Sequence, residues 1–241
     1  MSKKTDQPDL LEALYDRIAN EEDARVCKAI SEEACRVVPG NFFLQFLANS
    51  LTKIGDRVAS PKTTLAWLLQ ALGAPAFFTG IIVPIRESGA LLPQLFIAGL
   101  IRQLPRRKWV WVTGAFLQGL AVTGLGLVAI GLEGTAAGWG VIGLLVLFSL
   151  ARGLCSVASK DVLGKTIPKT RRGLLKGLMS STSGLIAVLA GVGLIISGKT
   201  GGDGDSINGY AILLFAGGAL WLLAAAVYSA VREYPGETEG G

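Results

Sequence analysis

The sequence predicts an all-α membrane protein, and three observations support this fold class. Hydrophobic residues make up 51% of the 241 residues and charged residues only 17%, and the mean hydropathy of +0.50 is too high for an ordinary soluble domain. The apolar runs are much longer than the roughly 10 residues that a membrane-spanning strand needs, which favours helices. Many of the 32 glycines fall within these runs, where small residues let membrane helices approach closely.

The N-terminal segment, residues 1–40, is expected to lie in the cytoplasm. It is polar and acidic and lacks the apolar core of a secretory signal peptide. Leu10, Leu14 and Ile18 recur at helical spacing, which predicts an amphipathic helix. Two interpretations remain open: the segment docks on the membrane surface, or it is a solvated extension.

Six segments that follow are predicted to cross the membrane, because a spanning helix needs about 20 mostly apolar residues. Charges interrupt the stretch 41–103, so it can also be interpreted as a surface helix over 41–60 followed by one span over 65–85. Residues 232–241 are charged and rich in turn-forming residues, which predicts a linker-like cytoplasmic tail. In the six-span interpretation the transmembrane domain covers 41–231, with spans at about 41–69, 76–103, 108–132, 139–162, 177–197 and 207–231.

The positions of the basic residues decide between these interpretations. With six spans, the lysines and arginines of residues 1–40, 102–108 and 160–176 lie on one side of the membrane, and Lys62 and Lys199 lie on the other. The positive-inside rule then predicts a multi-pass protein of the inner cell membrane with both termini in the cytoplasm. Without the first span, a single crossing would put the basic N-terminal segment and the next basic loop on opposite sides.

Polar and charged side chains mark one face of the predicted first, second and fourth spans. Charges within a span are costly and normally face the bundle interior or a water-filled cavity, so these residues are candidates for a substrate or ion site. Lys53 and Asp56 are spaced i, i+3 and can neutralise each other, and an ion pair that only steadies the bundle is the alternative. The third and sixth spans carry no charge between their ends and are predicted to be lipid-facing supports. The candidate cavity residues are Asn49, Lys53, Asp56, Arg86, Glu87, Gln94 and Arg152.

The loop after the second predicted span runs from Gly99 to Lys108 and ends in three basic residues. With six helices, cytoplasmic ends and polar first and fourth helices, the chain resembles the N-terminal half of a major facilitator superfamily transporter, of the bacterial permease-like kind. That family builds each half from two inverted three-helix repeats. Gly99, Arg107 and Lys108 match its loop signature, whereas Gln103 replaces its Asp and Arg106 replaces its second Gly. The resemblance implies that these five residues belong to a cytoplasmic gating loop.

Secondary transport by alternating access is the function that this resemblance implies. The chain would act as the N-terminal half, or as a half-size subunit, of a transporter for a small solute. Its partners would be the lipid bilayer and a second six-helix half, either a C-terminal half or a second copy. Asp56 or Glu87 could carry a coupling proton, and Arg86 or Arg152 could meet an anionic group of the solute. A membrane scaffold or assembly subunit without transport is the alternative, which Gln103 in place of the Asp favours.

Enzymatic activity is not expected. The chain has no histidine, no paired acidic metal motif and no nucleophile elbow, so none of the common catalytic constellations is present in its sequence. We predict no cofactor, no metal and no nucleic-acid partner. The sequence leaves open the solute, the coupling ion, and whether the chain is a natural half-length protein or part of a twelve-helix chain.

Overall fold

The described part of the chain is helical in all its regular structure. The computed structural model describes residues 15, 36–91, 94, 104–196 and 206–235. These residues form seven α-helices and no strand, which confirms the predicted all-α fold class for this part of the chain. The helices are α1 (Val38–Val58), α2 (Thr64–Ala71), α3 (Ala76–Gly89), α4 (Lys108–Gly131), α5 (Gly134–Thr166), α6 (Lys169–Ile196) and α7 (Ser206–Ser229).

Three of these helices, α4, α5 and α7, are long and apolar enough to cross a membrane. The 24 residues of α4 rise about 36 Å at 1.5 Å per residue, which exceeds the hydrocarbon thickness of about 30 Å. These helices indicate a membrane protein, and they correspond to the predicted third, fourth and sixth spans. The other three spans, over 41–69, 76–103 and 177–197, stay predictions.

The chain of the first predicted span is divided into two helices, α1 and α2. Pro61 lies in the break between them, where it has no N–H to donate and disfavours helical geometry in Ser60. The backbone keeps hydrogen bonds on both sides of the break. The Ala59 N–H donates to the Gly55 carbonyl oxygen at 2.9 Å, closing α1. The Leu65 N–H donates to the Ser60 carbonyl oxygen at 3.0 Å, so the backbone after the break is also paired within the chain.

Helix α7 runs antiparallel to α4. Trp111 near the start of α4 stacks on Tyr228 near the end of α7, with ring centroids 3.8 Å apart. Further along α4, a Cβ atom at Gly126 would lie 2.9 Å from the ring of Phe215, which belongs to the first half of α7. The two contacts fix the direction because they pair opposite ends of the helices.

Helix α1 also runs antiparallel to α7 and therefore parallel to α4. Asn41 near the start of α1 exchanges two hydrogen bonds of 2.9 Å with the backbone of Arg232, just beyond α7. Near the other end of α1, Gly55 packs directly against the ring of Trp221. The close approach depends on glycine, since a Cβ atom there would lie 2.7 Å from the ring.

Helices α3 and α5 run in the same direction, side by side. Phe78 near the start of α3 contacts the ring of Trp139 near the start of α5, with centroids 5.4 Å apart. Gly89 at the end of α3 faces Ser149, further along α5. The short connection from α4 makes α5 antiparallel to α4, so α3, α5 and α7 share one direction.

Two ends of the bundle can now be defined. At the far end, where α2 stops and α5 begins, the Gly134 N–H donates to the Leu72 carbonyl oxygen at 2.7 Å. At the basic end, α4 begins at Lys108 and α5 and α7 end. Three aromatic side chains close to the far end, Trp67, Phe77 and Trp139, are 63%, 63% and 61% exposed. Exposed aromatic rings are typical of a membrane–water boundary.

Two apolar clusters hold the described helices together. The larger cluster contains residues of α1, α2, α3, α4, α5 and α7. The smaller cluster lies at the basic end and contains residues of α1, α5 and α6. The largest side chains that are fully buried in the main cluster are Trp221, Tyr228 and Phe148. The buried members of the smaller cluster are Tyr15, Val38, Phe42, Leu163, Ile167, Leu175 and Met179.

Candidate functional site

Three charged residues from three helices meet near the middle of the bundle: Asp56 of α1, Arg86 of α3 and Arg152 of α5. We call them the charged triad. Asp56 Oδ1 accepts hydrogen bonds from Arg86 Nη2 at 2.8 Å and from Arg152 Nη1 at 2.5 Å. Hydrogen bonds between ionised groups are stronger than neutral ones. Two guanidinium groups on one carboxylate give the triad itself a net charge of +1.

Arg86 is fixed by contacts with its surroundings as well as by Asp56. Its side chain is 8% exposed, and its guanidinium lies over the ring of Phe148, 4.9 Å from the ring centroid. Arg86 Nη1 donates to the carbonyl oxygen of Ala59, just beyond the end of α1. A cation at this position is favourable because the helix dipole is negative at the C-terminal end. Arg86 therefore caps the end of α1, at the break before α2, in addition to pairing with Asp56.

Arg152 is held much less firmly than Arg86. Its side chain is 41% exposed, and among the described residues Asp56 is its one hydrogen-bonding partner. An arginine carries five N–H donors in a planar fork. Most of the donors of Arg152 are therefore available to water or to a solute.

Two cavities meet at the charged triad. The basic-side cavity, of about 200 Å³, extends from the triad toward the basic end. The far-side cavity, of about 270 Å³, extends from the triad toward the far end. Asp56 and Arg152 line both cavities. The remaining lining of the basic-side cavity is Asn49, Thr52, Trp111, Gln118, Cys155, Ser156, Ser159 and Trp221, and that of the far-side cavity is Arg57, Ser60, Pro61, Lys62, Arg86, Glu87 and Ala90.

Five of the seven predicted cavity residues line one or both of these cavities. Lys53 and Gln94 are half-buried and belong to neither lining. Asp56 is paired with the two arginines of the triad rather than with Lys53, its predicted neighbour on the same helix. The five residues in the linings are Asn49, Asp56, Arg86, Glu87 and Arg152.

Helices α4 and α7 also contribute to the basic-side cavity, although the sequence predicts them to be plain supports. Trp111 and Gln118 of α4 and Trp221 of α7 belong to its lining. Gln118 Nε2 donates to Cys155 Sγ at 3.1 Å, and the Cys155 thiol donates to the Trp111 carbonyl oxygen at 3.4 Å. The signal that sequence reasoning missed is the polar amide of Gln118, which lies in the middle of a span without charged residues.

A second polar cluster lies at the basic end around Glu233, just beyond α7. Its carboxylate accepts the backbone N–H groups of Arg107 at 3.0 Å and Lys108 at 2.7 Å. Lys165 Nζ of α5 lies 3.4 Å from Glu233 Oε1, and the Glu233 side chain is completely buried. Lys108 Nζ donates in turn to carbonyl oxygens at the end of α7. The cluster ties the beginning of α4 to the ends of α5 and α7.

The predicted gating loop is described only in part, since Gly99 and Gln103 lie outside the described residues. Arg106 is exposed, whereas Arg107 is buried and forms an ion pair of 3.3 Å with Asp161 of α5. The predicted tail is also described in part: residues 232–235 follow α7, and 236–241 lie outside the described residues.

Arg172 supports the corner between α5 and α6. Its Nε donates to the Ile167 carbonyl oxygen at 2.9 Å, and its Nη2 donates to the Gly164 carbonyl oxygen at 2.8 Å. Burial lowers the pKa of this guanidinium from its ordinary value. Because carbonyl groups at a helix end lack partners within the helix, these bonds stabilise the end of α5.

No protein-family model matches the chain, and no characterised protein or solved structure is significantly similar to it. The charged triad and the two cavities therefore carry the functional interpretation without support from a relative.

Proposed function

We propose that the protein is a membrane transport subunit: the N-terminal half, or a half-size unit, of a major facilitator-type secondary transporter that moves a small anionic solute by alternating access. The observation that carries this proposal is the position of Asp56 and Arg152 on the common wall of two cavities. Ionisable groups inside a membrane protein are costly and are characteristic of solute and ion pathways. A site near mid-depth between two cavities is the arrangement that alternating access uses.

The directions of the helices support a six-span arrangement. Helices α1 and α4 run one way and α3, α5 and α7 run the other. With α6 returning from the end of α5, successive segments alternate in direction along the chain. This alternation puts the beginning of α1 and the end of α7 at the same end of the bundle, which agrees with the common cytoplasmic side that the basic residues of the sequence predict.

A second six-helix unit completes the transporter in this proposal. Arg152 is 41% exposed, and an unpaired charge that faces lipid near the bilayer centre costs about 2.5 kcal/mol or more. A second unit that covers the two cavities would keep lipid away from the triad. A second copy of the chain or a separate C-terminal half would provide this cover.

The proposal can be tested by reconstituting the full chain into liposomes and measuring the uptake of radiolabelled solutes. The panel contains carboxylates, inorganic phosphate, a neutral sugar and a primary amine. We expect uptake of at least one anion, and we expect Asp56→Asn and Arg152→Ala each to lower it about tenfold or more. Lys160→Gln is the matched control because Lys160 is exposed on α5 and lines neither cavity. Unchanged uptake in both triad variants would reject the site assignment.

A membrane scaffold is the second candidate, and one observation favours it. Gln103 occupies the position of the Asp in the loop signature that the chain resembles. Native mass measurement and crosslinking distinguish the two candidates. A stable complex with a different membrane protein, together with no uptake of any panel solute, would favour the scaffold over transport.

A further inference from the structure

The two arginines of the charged triad differ in ways that assign them different tasks. Arg86 is buried against Phe148 and donates to the backbone of Ala59, so its release from Asp56 would also open the end of α1. Arg152 has one partner among the described residues and lines both cavities. Arg152 can leave Asp56 without disturbing any other contact that the structure records for it.

The charge of the triad also points to a particular kind of ligand. When Arg152 leaves Asp56, the pair of Asp56 and Arg86 stays neutral and Arg152 carries the net positive charge of the triad. A single carboxylate on a solute compensates that charge and matches the fork of a guanidinium with two parallel hydrogen bonds. The neutral polar side chains near Arg152, including Ser156 and Ser159 one and two turns along α5, provide partners for the rest of a polar solute.

We propose that Arg152 is the exchangeable member of the triad: it releases Asp56 to bind the carboxylate of a monoanionic solute, while Arg86 stays on Asp56. Asp56 thus competes with the carboxylate of the solute for Arg152. Because Asp56 and Arg152 form the common wall of the two cavities, the same exchange breaks the ion pair that separates them. This inference rests on the proposed transport function for its purpose, but the binding step needs no transport.

The test measures binding to the purified full chain in nanodiscs through its thermal unfolding temperature, with sodium acetate as the probe. Methylammonium chloride at equal ionic strength controls for salt, and sodium sulfate tests the preference for one charge. We expect acetate to raise the unfolding temperature, methylammonium to leave it unchanged, and sulfate to act more weakly than acetate. Equal effects of acetate and methylammonium would overturn the proposed site, and a stronger effect of sulfate would overturn the monoanion assignment.

Two substitutions then give effects of opposite sign. Arg152→Gln should weaken acetate binding about tenfold or more, because the charge that receives the carboxylate is gone. Asp56→Asn should strengthen acetate binding about threefold to tenfold, because the competitor that occupies Arg152 is removed. If Asp56 and Arg152 had a merely structural role, both variants would bind acetate more weakly, and that result would overturn the proposal.

A conservative variant keeps the test decisive if Asp56→Asn does not fold. Arg152→Lys retains the charge without the fork and should keep a reduced acetate effect, whereas Arg152→Gln loses it. Equal acetate effects in these two variants would overturn the proposal. The outcome is independent of flux: acetate binding at Arg152 without uptake of any panel solute supports this inference and argues against transport by the chain alone, and uptake that survives Arg152→Gln does the reverse.

Discussion

One carboxylate oxygen of Asp56 accepts hydrogen bonds from two arginines on different helices. Removal of each arginine should lower the free energy of unfolding by a different amount. Arg86 is buried and paired with a backbone carbonyl oxygen, whereas Arg152 is exposed to both cavities. Removal of one partner from a buried ion pair is costly because the remaining charge stays desolvated. Removal of a partly exposed partner costs less, since water replaces it.

Arg86→Gln should lower the free energy of unfolding by about 2 kcal/mol, because the hydrogen bonds of Arg86 to Asp56 and Ala59 are lost while Arg152 stays on Asp56. The matched control is Arg57→Gln, because Arg57 is the exposed neighbour of Asp56 and forms no ion pair with the described residues. Denaturant titration in mixed micelles gives both values. In the Asp56→Asn/Arg86→Gln double variant, the loss should be smaller than the sum of the single losses, because the two residues interact directly. Additive losses would argue against a direct pair.

Within the helices, the contacts that set the architecture come from small residues and from helix ends. The ring of Trp221 reaches α1 because Gly55 has no side chain. The start of α4 carries unpaired N–H groups, as every helix start does, and Glu233 accepts two of them from beyond the end of α7. These features join helices that are far apart in the sequence.

Gly55→Ala should loosen the contact between α1 and α7. The new Cβ atom would lie 2.7 Å from the Trp221 ring, so the ring or the helix must move, at a cost of about 1–3 kcal/mol. Gly40→Ala on the same helix is the control, because no heavy atom lies within 4 Å of a Cβ atom there. Thermal unfolding should separate the two variants, and equal stability would mean that Trp221 rearranges freely.

Glu233→Ala should destabilise the basic end by about 2 kcal/mol, because a buried carboxylate at the positive end of α4 is lost. Glu133→Ala is the control, since Glu133 also precedes a helix but is exposed and makes no capping hydrogen bond with its side chain. Glu233→Gln keeps an acceptor without the charge and should fall between wild type and Glu233→Ala. Hydrogen exchange of the first turn of α4 measures the effect, and unchanged protection there would contradict the capping role.

For the whole molecule, the hydropathy of the sequence predicts the all-α fold class, and the pattern of polar residues predicts which helix faces carry the candidate site. Asp56, Arg86 and Arg152 were found in this way. Their meeting on one oxygen was not predictable, since it depends on the depth and rotation of three helices. Glu233 gave no local signal for a contact with a helix start 126 residues away. Pro61 is visible in the sequence, but the periodicity of the polar face and the positions of the basic residues favour one span over 41–69.

The predicted orientation can be tested with single cysteines at opposite ends of the bundle. Glu133→Cys lies at the far end and Lys169→Cys at the basic end, and both positions are exposed. In a Cys27→Ser/Cys35→Ser background, a membrane-impermeant maleimide should label Glu133→Cys only in intact cells and Lys169→Cys only in inverted vesicles. The background chain is the control, because its remaining Cys155 is buried. Labelling of both sites from the same side would contradict the six-span arrangement.

The distribution of tryptophan gives the protein two separate sets of optical reporters. Trp67, Trp109 and Trp139 are 63%, 51% and 61% exposed on the outside of the bundle, whereas Trp111 and Trp221 are buried and line the basic-side cavity. Brominated lipids should therefore quench the emission of the outer set and leave the inner set bright. A change of emission that persists under lipid quenching reports on the interior, so events inside the protein can be followed without any attached dye.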